Sequence, residues 1–151
     1  MIVDVSLIKK LREKTGAGVA DVRGALEEAK DDFKAAEQLL RERGFEKAAK
    51  KGGRETKAGL IESYVHQARV GAMIEVFCET DFVARTDEFK TLAHEIAMQV
   101  AAMNARDEKE LLKQEYIRDN TKTIEDLIKE TIAKLGENIT IGRIVRFEIG
   151  K

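Results

Sequence analysis

A chain of 151 residues, 43% apolar and 36% charged, has the length of one compact domain, or of a very small domain joined to one of about 100 residues. The formal net charge of −1 excludes a global pull toward nucleic acid or anionic lipid, and no stretch approaches the roughly 18 uninterrupted apolar residues of a membrane helix. Met1-Ile-Val-Asp-Val-Ser6 lacks the basic and apolar regions of a leader, and the single cysteine, Cys78, has no partner for an internal disulfide, so the expected compartment is the cytosol. Charge is slightly uneven, with 13 Lys/Arg against 10 Asp/Glu up to residue 54 and 14 against 18 beyond it; proline is absent.

The first third predicts three short helices. Asp4 or Ser6 caps the first, with Leu7, Ile8 and Leu11 on one face, and Thr15-Gly-Ala-Gly18 breaks it. Val19, Val22, Ala25, Leu26 and Ala29 form the stripe of the second. Asp31-Asp32 caps the third, which buries Phe33, Ala36, Leu39 and Leu40 and is expected to end at Gly44. Three amphipathic helices in so short a span suit a docking module better than a reaction vessel. The basic, then flexible, run Lys47-Ala-Ala-Lys-Lys-Gly-Gly-Arg54 places a linker at residues 47–56, between a helical unit at 1–46 and a second unit at 57–151.

In the second unit, residues 59–67 and 72–78 alternate as two strands, joined through Ala68-Arg-Val-Gly71 into an antiparallel hairpin. Thr86 or Asp87 caps a long helix whose Phe89, Leu92, Ile96, Val100 and Met103 step by three and four. A polar segment with Leu111, Leu112 and Tyr116 predicts a short helix. Thr123-x-x-Asp126 has the form of a capping box, opening a helix with Ile124, Leu127, Ile128, Ile132 and Leu135 inward and Gly136 at its end. A late strand puts Ile139, Ile141, Val145, Phe147 and Ile149 on one face, with Arg143 the exception. The fold class is α+β, a three-helix bundle followed by a small antiparallel sheet with helices.

Groups able to carry chemistry are few. Cys78 with His66 or His94 has the residue types of a thiol–imidazole pair, but Cys78 alternates with Ile74 and Val76 as an inert core thiol does. Neither histidine has a second ligand at metal-binding spacing. No P-loop or Rossmann fingerprint is present, and Gly16-Ala-Gly18 follows a helix instead of a strand, so no nucleotide, cofactor or metal is expected in this chain. The basic run at 47–54 offers the alternative of a nucleic-acid- or ribosome-associated module, although it has no interleaved aromatics beyond Phe45. Thr80-Asp81-Phe82-Val83 reads two ways. Thr80 and Asp81 form an Asx-type turn with Phe82 in the core, the arrangement that residue chemistry alone favours, or Asp81 and Phe82 form an exposed tip aimed at a partner.

Leu11-Arg-Glu-Lys-Thr-Gly-Ala-Gly18, Glu75-Val-Phe-Cys-Glu-Thr-Asp-Phe-Val-Ala-Arg85 and Ile132-Ala-Lys-Leu-Gly-Glu-Asn-Ile139 resemble, in that order, the elongation factor Ts family, the guanine-nucleotide exchange factors of bacterial translation. The resemblance implies that the three-helix unit is a ubiquitin-associated-type domain docking on elongation factor Tu through Arg12, Thr15, Gly16, Ala17, Gly18, Val19 and Asp21. It implies that Thr80, Asp81, Phe82 and Val83 displace Mg²⁺ from the partner's GDP site. The chain would then be no enzyme; its partner is elongation factor Tu, GDP-bound or nucleotide-free, with no direct contact to nucleic acid or membrane. Five places depart from the family pattern. Phe77 replaces the usual Asn, which predicts an altered aim of Asp81; Val19-Ala20 replaces Met residues; Arg23-Gly24 replaces Lys-Lys; Ala105 and Asn120 stand where Pro is frequent. Longer members carry a second half-core and a coiled coil, whereas here a short connection joins Met103 to Leu127. A single half-core leaves a sheet edge or face for another copy, which predicts a homodimer.

Overall fold

Polar side chains cap every helix start but that at Gly18. The computed structural model describes residues 3–151; Met1 and Ile2, where the segment read for a leader begins, lie outside the described residues. Helices α1 (Val5–Thr15), α2 (Val19–Glu28) and α3 (Phe33–Lys51) form the N-terminal bundle. The Asp4 carboxylate accepts from the Ser6 N–H at 2.8 Å and that of Asp32 from the Ala35 N–H at 3.2 Å, satisfying donors that a helix start leaves orphaned. Leu11, Val22, Ala25, Leu26, Ala36 and Leu40 close a core of their own, with Val3 against it. Val19, expected on the buried stripe, stands 51% exposed.

Gly44 does not end α3. The helix continues to Lys51, through the first five residues of the expected linker, because its second half packs on α7 (Ile124–Leu135). A Cβ at Gly44 would lie 3.4 Å from the Ala133 Cβ, so the glycine lets two backbones approach, and one turn later Ala48 enters the second core.

That second core lies between a sheet and a helix. Strands β1 (Ala58–His66), β2 (Val70–Cys78) and β5 (Thr140–Glu148) form an antiparallel sheet with β2 central. The hairpin closes earlier than expected: His66 pairs with Val70, Gln67 and Ala68 take positive φ values of 51° and 57°, and Gly71 lies inside the strand. Ile74, Val76 and Cys78 face inward onto α5 (Asp87–Met103), where Phe89, Leu92, Ile96 and Val100 are buried as their spacing predicts. Thr86 caps α5 by accepting from the Phe89 N–H at 3.2 Å. Met103, expected inward, is 52% exposed, because the helix ends beside it at Asn104 in the left-handed region.

The late strand corrects the predicted face. The β2–β5 register shifts between the Ile74–Ile144 and Val76–Ile141 pairs, so β5 carries an extra residue at 142–143 opposite Glu75. The bulge turns the strand over. Ile139 and Ile141 face the core before it, Ile144 does so after it, and Val145, Phe147 and Ile149 are exposed. Glu75 satisfies the bulge, its Oε1 accepting from the Arg143 backbone N–H and Nε–H, both at 2.8 Å, and its Oε2 from Nη2–H at 3.0 Å. These bonds hold the Glu75 carboxyl down at about 2.

Beyond α5, the predicted short helix is α6 (Glu108–Lys113), followed by an unpredicted two-stranded hairpin, β3 (Glu115–Tyr116) and β4 (Asp119–Thr123). Buried Gln99 latches this hairpin to α5: its Nε2–H donates to the Glu115 carbonyl at 3.0 Å and its Oε1 accepts from the Ile117 N–H at 2.9 Å. The Tyr116 hydroxyl donates to Glu95 at 2.8 Å. The capping box of α7 forms as expected, with Thr123 and Asp126 each accepting from the other's N–H at 3.1 Å. The architecture is α+β, with the three-helix bundle at the N-terminal end. Among the described residues, no helix is long and apolar enough to cross a membrane, and no group of three His, Cys, Asp or Glu side chains converges as metal ligands.

Candidate partner-binding site

The ladder of β2 ends at Cys78, whose buried S–H donates to the Thr80 carbonyl at 3.2 Å. Burial first, and the Glu137 charge second, push this thiol up, away from the nucleophilic thiolate. No thiol–imidazole pair forms. Cys78 pairs with Ala58 at one end of the β1–β2 ladder, His66 with Val70 at the other, where its ring shares a hydrogen bond of 3.0 Å with the Tyr64 hydroxyl. His94 meets the same Tyr64 edge-on at 5.7 Å.

Past Cys78 the chain makes a capped helical turn, not an Asx-type turn. Thr80 has extended backbone, and its Oγ1 accepts from the Val83 N–H at 3.3 Å, opening α4 (Asp81–Ala84). One turn of helix splits the four residues between two environments: Val83 and Ala84 are buried, while Asp81 is exposed and Phe82 is 81% exposed. The core position that residue chemistry alone favours for Phe82 is therefore overturned. Of the six Phe, only Phe82 and Phe147 are exposed.

The tip is tied to the turn after α7. Glu137 Oε1 accepts from the backbone N–H groups of Glu79 at 3.1 Å and Thr80 at 3.0 Å, and its Oε2 accepts from the Thr80 hydroxyl at 2.7 Å. In return, Glu79 Oε2 accepts from the Asn138 N–H at 2.6 Å, and the Asn138 side chain donates to the Arg54 carbonyl at 2.9 Å. Reading the sequence for function missed these residues, although Gly136-Glu137-Asn138 sits inside one of the three motifs that carry the resemblance. Phe77 lies elsewhere, its ring across Gly142 on the outer sheet face, where a Cβ would come within 2.4 Å of it.

The residues of the N-terminal docking set gather at the α1–α2 turn. Gly16 closes α1 with φ 73°, its N–H donating to the Arg12 carbonyl at 2.8 Å. The Thr15 hydroxyl donates to the Leu11 carbonyl at 2.7 Å and accepts from the Ala17 N–H at 3.3 Å. Arg12, Gly16, Gly18, Val19 and Asp21 are exposed, Thr15 and Ala17 half-buried. A Cβ on Gly16 would come within 2.9 Å of Lys134, so the α7 lysine stem lies directly against this turn. The end of α7 and the turn after it thus touch both sets, through Lys134 and through Glu137. Between the turn and β4–α7 runs an open cleft of about 560 Å³, three of whose five lysines are matched: Lys14 with Glu37 at 3.0 Å, Lys47 with Asp21 at 3.1 Å, Lys122 with Glu130 at 2.9 Å. Arg54 reaches Glu79 at 3.7 Å.

Residues 79–151 match the family model "Elongation factor TS". Across the chain, elongation factor Ts of Fervidobacterium nodosum is 42% identical over 197 positions, covering all of both chains, and that of Thermotoga maritima is 44% identical over 195, covering 100% of this chain and 98% of the relative. Elongation factor Ts of Thermoanaerobacter pseudethanolicus is 42% identical over 196 positions, with 99% and 96% covered. This chain belongs to the elongation factor Ts family, which makes it a translation elongation factor. The alignments are longer than its 151 residues, so the relatives carry segments with no counterpart here.

Proposed function

We propose that the chain is a guanine-nucleotide exchange factor that binds elongation factor Tu, GDP-bound or nucleotide-free, and promotes GDP release by displacing Mg²⁺. The observation that carries this reading is Phe82, a rigid apolar ring 81% exposed beside the Asp81 carboxylate on a capped turn, in a chain of this family. Such a ring fills a pocket at low entropic cost. Mg²⁺ bridges the phosphates to the protein that binds them, so shifting its surroundings removes a large favourable term for GDP. Phe82 wedges between elements of the partner, Asp81 competes for the groups that order the metal's waters, and Thr80 and Val83 hold the turn. Arg12, Thr15, Gly16, Ala17, Gly18, Val19 and Asp21 dock the N-terminal unit, residues 1–46, whose third helix also packs on α7 of the 57–151 core. Factor and GDP then lower each other's affinity for elongation factor Tu by the same ratio, with no covalent step and no cofactor, in the cytosol.

The second partner is another copy of this chain. On the outer sheet face, Met73 of β2 lies between Ser63 and Val145, and Gly71 between Val65 and Phe147, with Ile61 and Ile149 also exposed. An apolar face of this size on one side of a three-stranded sheet suits a two-fold homodimer. Of the four cations at 47–54 on which the nucleic-acid alternative rests, Lys47 pairs with Asp21 and Arg54 with Glu79, which leaves only Lys50 and Lys51 outside the ion pairs of the described residues.

The test is release of a fluorescent GDP analogue from elongation factor Tu in saturating Mg²⁺ and in excess EDTA. The factor is expected to accelerate release strongly in Mg²⁺ and far less in EDTA, where the cation is already gone. Equal acceleration in both removes the magnesium mechanism; no acceleration, with salt-dependent RNA binding instead, favours the alternative.

A further inference from the structure

A four-residue helix is too short to hold itself together, since its nucleation cost is not recovered within one turn. The conformation that puts Phe82 outside must therefore be imposed by its surroundings. Only Thr80 supplies a side-chain cap, and the Thr80 hydroxyl is itself oriented. It has one proton, which it donates to Glu137 Oε2 at 2.7 Å, leaving its lone pairs for the Val83 N–H at 3.3 Å. The other carboxylate oxygen takes the consecutive N–H groups of Glu79 and Thr80.

We propose that Glu137 is the positioning residue of the exchange tip: it acts through Thr80, fixing the cap and the two preceding peptides so that α4 presents Phe82 outward. Charge-assisted bonds are the strong class, and three converge on this one side chain. The reciprocal bond from Asn138 N–H to Glu79 makes the lacing two-way, and Arg54 beside Glu79 offsets the concentration of negative charge at Glu79, Asp81 and Glu137. Glu137 touches no partner in this scheme. Its contribution is to spare the tip an ordering cost at the moment of insertion.

The inference rests on the exchange-factor reading, so its test carries a control for that reading. Stimulated GDP release from elongation factor Tu is measured against factor concentration for wild type, Glu137→Ala, Glu137→Gln and Phe82→Ala. Glu137→Ala is expected to lower the maximal rate about tenfold while the half-saturating concentration moves less than about twofold, because the Arg12–Asp21 docking set is untouched. Glu137→Gln keeps an oxygen for the two N–H groups but turns an amide toward the Thr80 hydroxyl, and is expected about threefold below wild type; it carries the test if the alanine variant does not fold. A core variant of α7, Ile128→Val, controls for simple destabilisation and is expected to keep the wild-type maximum. A wild-type maximum in either folded Glu137 variant, with Phe82→Ala slow, overturns the positioning role and leaves the wedge standing. A wild-type maximum in Phe82→Ala overturns both.

Discussion

Cys78 and Phe82 are four residues apart and end in opposite environments, because the strand ladder stops at one and a helical turn separates the other from the core. Alternation was enough to bury Cys78, and it failed for Phe82 because the period changes from two to about three and a half within that span. Thr80 is the visible signal of the change, but a threonine before Asp serves an Asx-type turn as readily as an N-cap. Glu75 is a second residue whose role is set by distant chain. It reads as an outward strand position, yet it takes three hydrogen bonds from Arg143, which hold its carboxyl at about 2 against an ordinary 4.5. A depressed folded-state value contributes stability above the unfolded value and loses it as pH falls toward the folded one. Thermal midpoints of wild type and Glu75→Gln are therefore expected to differ at pH 6 and to converge as pH falls from about 4.5 toward 2. A gap that stays constant across this range would remove the carboxylate from the account.

At the scale of elements, the helices with strong stripes and caps were legible: α5 from its three-and-four spacing, α7 from its capping box and Gly136. Three features were not. The end of α3 was hidden because Gly44 after Arg41 and Arg43 has the chemistry of a C-terminus, and only contact with Ala133 of α7 shows it to be a packing position. The β3–β4 hairpin was hidden because polar residues 115–123 are held by Gln99 and Glu95, not by an apolar pattern. The β5 bulge was hidden because no local rule announces an extra residue, although Arg143 as the odd member of a strand and Gly142 beside it were its trace. Two glycines separate these cases experimentally. Gly24 lies inside α2 with nothing within 4 Å of an added Cβ, so Gly24→Ala is expected to stabilise by up to about 1 kcal/mol, a rise of about 2–4 °C in thermal midpoint. Gly44→Leu, forced against Ala133, is expected to cost about 1–3 kcal/mol. An unchanged midpoint for Gly44→Leu would mean that α3 and α7 are not packed as described.

Over the whole molecule, the bundle core and the sheet core are separate clusters of buried side chains bridged by one helix, α3, while Lys134 at the end of α7 touches the α1–α2 turn and Glu137, just past that end, holds the Thr80–Val83 turn. The order of the three motifs along the chain was legible at once; their meeting around the end of α7 was not, because it depends on contacts more than 50 residues apart. The outer sheet face belongs to the same scale. Phe147, 74% exposed on the edge strand β5, is expected to anchor a homodimer, so Phe147→Glu should halve the mass seen by light scattering while leaving circular dichroism unchanged. A wild-type mass equal to one chain would refute the dimer directly. An exposed ring on a capped turn is expected to drive nucleotide release, and Phe82→Ala removes that ring alone. With saturating factor and elongation factor Tu loaded with fluorescent GDP, the variant is expected to release nucleotide at least about tenfold more slowly than wild type, at equal thermal midpoint. Release at the wild-type rate would contradict the account.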